Sequence, residues 1–307
     1  VTPMILSCGE ALIDMLPRKS EAGEDAYAPY AGGAVFNTAI ALGRLGAPSA
    51  FFSGIASDFL GDILLNSLKE SKVDTSACAI SDRPSTVAYV KLVNGQATYA
   101  FYDENTAGRM LSMDDLPTVT ADALFFGGIS LVVEPCGATY EALMIRESTK
   151  RVTMIDPNVR PSFIKDEESY RARIDRMFRH ADIVKLSDED LAWLMGGDDI
   201  EAMAREILHM GARLVCITKG AEGAVGYTNQ HVVEVPANKV EVVDTVGAGD
   251  TFNAGVLAAL YKRGALEKQA LKTLDETSIR AALTLGVQAA AVTVSRAGAN
   301  PPWANEL

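Results

Sequence analysis

A largely parallel, doubly wound α/β sheet is what this sequence predicts, on three observations. Short apolar runs alternate with segments of helical spacing through most of the chain. Two of the helical segments carry their own start or stop residue, Asp58 and Gly46. The 307 residues, 48% of them hydrophobic, are enough to bury a sizeable core.

In chain order, Met4–Cys8, Ala50–Ser53, Ala123–Phe126, Val152–Ile155, Ile183–Leu186 and Leu214–Ile217 read as buried strands. Val35–Leu45 reads as a helix closed by Gly46 at C′, and Phe59–Glu70 as a helix opened by Asp58. Glu168–Arg179 and Glu201–His209 also carry helical spacing, and Ala-rich Thr277–Val294 reads as a long, buried C-terminal helix. Two stretches depart from the alternation. Thr86–Val93 and Gln96–Tyr102 flank Asn94-Gly95, the dipeptide of a type I′ hairpin. Asp14–Tyr30 is poorly helical, and with the hairpin it forms a candidate β-layer over a cleft.

Composition excludes several classes. A net charge of −12 repels phosphate backbones and anionic lipid, so neither nucleic acid nor membrane is an expected partner. It also means that any phosphate site needs local positive potential. Cys8, Cys78, Cys136 and Cys216 form no CxxC pair, and His180, His209 and His231 have no metal-ligand spacing. No apolar run approaches a membrane span, and Val1–Ser7 is too short for a signal-peptide core. A reducing cytoplasm is the simplest location.

The chemistry concentrates in Val240–Gly255, VEVVDTVGAGDTFNAG. An apolar strand, Val240–Val243, is expected to run through Asp244-Thr245 into Gly247-Ala248-Gly249-Asp250 and a helix from about Thr251. Glycines at 247 and 249 allow close backbone approach, and successive N–H groups at a helix start make an anion nest. A carboxylate at that mouth makes sense as the acceptor of a proton from an alcohol aimed at a phosphate. The plainer alternative makes Asp250 an N-cap over a tight turn. The stretch is neither a Walker A loop nor a dinucleotide-binding GxGxxG.

The full string DTVGAGDTFNAG resembles the C-terminal signature of the PfkB/ribokinase family, DTxGAGDxFxxG, at every fixed position: Asp244, Thr245, Gly247, Ala248, Gly249, Asp250, Phe252 and Gly255. Gly32-Gly33-Ala34-Val35-Phe36-Asn37, followed by Ala39, Ala41, Leu45-Gly46, Gly54, Asp58 and Gly61, resembles the family's N-terminal signature. The two lie in the right order, about 200 residues apart, and the likeness runs from Gly9 to about Pro302. It implies a ribokinase-like three-layer αβα sandwich with a mostly parallel central sheet and a small β-lid. Residues 1–307 form one domain on this reading, with the lid drawn from about 14–30 and 86–103.

The resemblance also implies roles. Asp250 matches the general base, and Gly247, Ala248 and Gly249 the anion hole. Asp14, Gly32, Gly33 and Asn37 match sugar contacts. Asp156-Pro157-Asn158-Val159-Arg160 is similar to the DPNxR string of the fructokinase branch, where the Arg serves sugar or phosphate oxygens. Lys185 to Asp190 corresponds to the NxxE motif that arranges Mg²⁺ through water, here Ser187-x-x-Asp190, with Glu189 as a substitute acid. Ser187 also reads as a helix N-cap with Asp190 at N3, close to a capping box. Thr218, Gly220 and Gly223 match the nucleotide loop, and Val287 aligns beside adenine as an apolar wall. Asp244, Val246, Thr293, Arg296 and Gly298 match a monovalent-cation site, so K⁺ joins ATP and Mg²⁺ among the expected cofactors. Relatives pair their lids, so a homodimer is an expected assembly.

Fructose is the leading substrate on this likeness, with 2-keto-3-deoxygluconate (its carboxylate met by Arg109 and Arg160) and ribose-type acceptors as alternatives. A catalytically silent sugar or nucleotide sensor would show a damaged base or anion hole. A nicotinamide-dependent oxidoreductase would need a GxGxxG after the first strand, which Cys8–Ile13 lacks.

Overall fold

The computed structural model describes residues 5–307. Met4, at the head of the first expected strand, lies outside them. The strands are β1 (Ile5–Cys8), β2 (Leu12–Lys19), β3 (Asp25–Gly32), β4 (Ser49–Phe52), β5 (Gly54–Ala56), β6 (Val73–Asp74), β7 (Ala79–Ser81), β8 (Val87–Val93), β9 (Gln96–Tyr102), β10 (Ala123–Gly127), β11 (Val152–Asp156), β12 (Ile183–Ser187), β13 (Leu214–Thr218), β14 (Ala224–Tyr227) and β15 (Val232–Val235). The helices are α1 (Ala34–Arg44), α2 (Phe59–Glu70), α3 (Cys136–Glu147), α4 (Glu167–Phe178), α5 (Asp188–Met195), α6 (Ile200–Met210), α7 (Ala248–Lys262), α8 (Lys268–Lys272) and α9 (Glu276–Val294).

Nine strands form one sheet in the order β15-β14-β13-β12-β11-β10-β1-β4-β6, parallel from β13 through β6, with β14 and β15 antiparallel at one edge. The inner strands are buried on both faces, which is why they read as unbroken apolar runs. Side chains alternate across the sheet into two cores. Phe125 and Met154 pack with α1, α7 and α9 on one face, while Phe126 and Ile155 pack with α3, α4 and α6 on the other.

Helix α9 has the length and hydropathy of a membrane span, against the expectation that no apolar run approaches one. Half of it is buried inside the molecule, against α7 and the sheet edge. Glycine makes the α7–α9 crossing close: a Cβ on Gly255 would lie 2.5 Å from the Gly286 Cα. The signature glycine at 255 is therefore a packing requirement.

A second sheet, β3-β2-β8-β9, stands apart from the first. β8 and β9 form the expected hairpin, with Val93 opposite Gln96 and positive φ at Asn94 (52°) and Gly95 (77°). β2 and β3 supply the rest over Leu12–Gly32, the poorly helical stretch. The ring of Phe101 on β9 meets Phe163 edge-on at 5.0 Å, tying this sheet to the loop after β11.

One expected strand is absent. Val240–Val243 is irregular chain, and Val240, Val242 and Val243 are exposed. Apolar composition suggested a strand, but no neighbouring strand pairs with this segment. Its ties are the N–H groups of Val243 and Asp244, which both donate to the Val294 carbonyl.

Candidate active site

The carboxyl ends of β1, β11, β12 and β13 converge with the starts of α1 and α7, the position where open α/β sheets place ligands. Gly247 opens α7 at φ 82°, a backbone conformation that glycine adopts without strain. It is the N-cap, so the alternative that made Asp250 a cap is corrected: Asp250 stands at the third position of the helix, and no side chain caps this end. Among the described residues, the N–H groups of Gly247, Gly249 and Asp250 have no acceptor. Three free donors at a helix start are an arrangement that suits an anion.

Asp250 is 9% exposed. Asn37 on α1 donates to its Oδ2 at 3.1 Å, and the Thr38 hydroxyl donates to its carbonyl at 3.0 Å. Burial pushes the carboxyl up to about 7, and the Asn37 hydrogen bond only partly opposes that rise. A base of that strength is matched to neutral pH.

Beside it lies a buried ion pair that sequence reading did not assemble. Lys185 Nζ, at the end of β12, donates to Asp156 Oδ2, at the end of β11, at 3.0 Å, and Asn253 Nδ2 donates to the same oxygen at 2.8 Å. A Cβ built on Gly249 would sit 3.0 Å from Lys185 Nζ, so the ammonium faces the anion hole. Of its three N–H groups, only one is used among the described residues. The other two point a buried positive charge at the place where an anion fits.

The sugar-facing candidates gather at the second sheet. Asp14 on β2 is half-buried, and a Cβ on Gly32 would lie 2.6 Å from its Oδ2. Burial raises this carboxyl to about 6. Gly33, the N-cap of α1, has φ 114°. Arg160 is exposed, and among the described residues its guanidinium has no partner. Arg109 Nε donates to the Glu134 carbonyl at 3.2 Å.

Ser187 caps α5, accepting from the Asp190 N–H at 3.1 Å. The capping box is not completed. The Asp190 carboxylate instead accepts from the Val159 N–H at 3.0 Å and anchors the Asp156–Arg160 loop, with its pKa raised by burial. Thr218 ends β13. Gly220 (φ 54°) and Gly223 (φ 95°) shape the next turn, where a Cβ at 223 would lie 2.1 Å from the Val235 carbonyl. Val287 is buried within the α9 core.

Asp244 bridges two loops, accepting from the Val246 N–H and the Gly298 N–H, both at 3.0 Å. Thr293 is fully buried, with its hydroxyl 2.9 Å from that of Thr251. Arg296 pairs with Glu306. Among the described residues no cluster of three His, Cys, Asp or Glu side chains could cage a metal.

Glu10, which sequence reading missed, is nine-tenths buried between the starts of two elements. Its Oε1 accepts from the Ala34 N–H at 3.0 Å and its Oε2 from the Ser130 N–H at 3.2 Å.

The sequence profile of the pfkB family carbohydrate kinases matches residues 2–306. The chain belongs to that family. It is 62% identical over 279 residues to a fructokinase of Rhizobium leguminosarum bv. trifolii, covering 90% of this chain and 86% of the relative. A fructokinase from Xylella fastidiosa, solved with bound ATP, superposes with a TM-score of 0.89 at 28% identity, covering 97% of this chain and 94% of that one. A Vibrio cholerae fructokinase variant bound to fructose, ADP and potassium ion superposes with a TM-score of 0.84 at 25% identity, with the same coverage. The fold is ribokinase-like, and the enzyme is a phosphotransferase with a sugar acceptor.

Proposed function

We propose that this carbohydrate kinase transfers the γ-phosphoryl group of ATP to O6 of fructose, with Asp250 as general base. The observation that carries the reading is a single buried carboxyl, raised to about 7, at the mouth of three unpaired backbone N–H donors. A sugar hydroxyl is far too weak an acid to ionise first. Asp250 takes its proton as the O–P bond forms, while the unpaired N–H groups of Gly247, Gly249 and Asp250 and the ammonium of Lys185 balance charge on the transferring group; the Ala248 N–H, expected in the anion hole, is turned to the Thr245 carbonyl.

Asp14, Gly32, Gly33 and Asn37 hold sugar hydroxyls, and Arg160 reaches toward sugar or phosphate oxygens. The second sheet closes over the sugar and excludes water, a competing acceptor. Ser187, Thr218, Gly220 and Gly223 line the nucleotide, with Val287 toward adenine. Asp190 would help hold a Mg²⁺ ion, which would supply charge neutralisation for the phosphates. Backbone oxygens of Thr293, Arg296 and Gly298, beside Asp244 and Val246, would hold a K⁺ that adds positive potential near the anion hole.

A homodimer through the lid fits its exposed aromatics, Tyr27 and Tyr102 on one face of the second sheet and Tyr30 and Tyr99 on the other. A cytoplasmic location fits four free thiols.

The test is ADP release with ATP, Mg²⁺ and a panel of sugars, with and without K⁺, and assignment of the phosphorylated carbon by ³¹P–¹H NMR. Fructose turnover with phosphate on O6 supports the reading. Turnover of ketodeoxygluconate alone would move the substrate and assign Arg160 to its carboxylate.

A further inference from the structure

Helix α1 begins without a cap of its own. Gly33 has no side chain to offer, so the first N–H of the helix, on Ala34, depends on a partner from elsewhere. Glu10 provides it from the loop after β1. Its other oxygen takes the Ser130 N–H from the loop after β10. The fit leaves no slack: a Cβ on Gly33 would lie 2.9 Å from the Glu10 carbonyl, and one on Gly128 would lie 2.1 Å from Oε1. The main chain before Glu10 is pinned as well, because the Tyr140 hydroxyl donates to the Gly9 carbonyl at 3.0 Å.

One turn beyond Ala34, the same helix presents Asn37 and Thr38, both bonded to Asp250. A continuous path thus runs from the Glu10 carboxylate through the first turn of α1 to the base. Along it lies Gly33, the backbone contact assigned to the sugar.

We propose that Glu10 is a positioning residue for the sugar: its carboxylate clamps the first turn of α1 to the loop after β10, setting Gly33 and Asn37 against substrate and base. The inference rests on the proposed function and deepens it. Both carboxylate oxygens accept from N–H groups, so the site is chemically selective for an acid. In Glu10→Gln one of those donors must face an amide NH₂, and the clamp opens on that side. In Glu10→Asp the shorter arm cannot span both loops.

The experiment measures kcat and both KM values for wild type, Glu10→Gln and Glu10→Asp, with thermal melts to establish folding. Each folded variant is expected to raise the sugar KM by about tenfold or more while the ATP KM stays within about twofold, because a hydrogen bond that sets the first turn of α1 is lost on the sugar side alone. A merely structural Glu10 would lower the melting temperature and the active fraction, leaving both KM values unchanged, and that outcome overturns the inference. So does failure of both variants to fold. If wild type itself turns over no sugar, the proposed function fails. If wild type turns over and Glu10→Gln keeps its sugar KM, only the role of Glu10 falls.

Discussion

Glu141, on α3, lies against two guanidinium groups from α4, whereas Asp250, at the start of α7, faces one amide. Arg176 donates to Glu141 at 2.6 and 3.0 Å and Arg173 at 3.2 Å. Burial alone would raise this carboxyl, but the two arginines outweigh it and hold the group below the usual range. Glu147, paired with Arg146 and Arg151, is lowered in the same way. At the carboxyl ends of the strands the balance reverses. Asp250, Asp14, Asp190 and Glu10 are all raised by burial. On the flank, hydrogen-bonding capacity is used up within the protein. At Asp250 and Asp14 it is left open, and the stability forgone there is what makes proton transfer and ligand binding available.

The contrast breaks most visibly at Asp250. Asp250→Asn should reduce kcat by about 10²–10⁴-fold, the usual contribution of a general base, with the far-UV circular dichroism unchanged. The same variant should melt a few degrees higher than wild type at pH 8. The folded pKa lies above the ordinary 3.8, so the stability Asp250 contributes is full below that value and is lost as pH rises through about 7. For Glu141 and Glu147 the sign is opposite, and their contribution is lost as pH falls through their lowered values.

Lys185→Met should cost about 3–5 kcal/mol in urea unfolding, because the buried Asp156 loses its cationic partner. Adding Asp156→Asn should restore most of that stability without restoring activity. On the flank, Glu141→Gln should cost about 1–3 kcal/mol and leave kcat and both KM values unchanged. The smallest effect separates the two regions most finely. Asn37→Ala removes a hydrogen bond that lowers the pKa of Asp250, so the acid limb of kcat/KM should move up by roughly half to one pH unit.

Much of this was legible in the sequence. The buried parallel strands, the Asn94-Gly95 hairpin and the N-caps at Asp58 and Ser187 are local patterns, and they appear where those patterns put them. Gly247, Asp250 and Asn37 were identifiable through the family likeness and converge in space. Long-range pairing was not legible. Val240–Val243 has the composition of a strand but no strand beside it. Helix α3 and strands β14 and β15 carry weak periodicity and depend on their neighbours. Glu10 sits 24 residues from Ala34 and 120 from Ser130, and Asp156 sits 97 from Asn253, separations that no short motif spans.

The central claim is most directly tested by the pH dependence of kcat/KM for fructose phosphorylation in wild type and Asp250→Asn. The account predicts a wild-type rate that falls tenfold per pH unit below about 7, and a variant whose small residual rate shows no such limb. A variant that keeps both the rate and the limb would show that another group takes the proton.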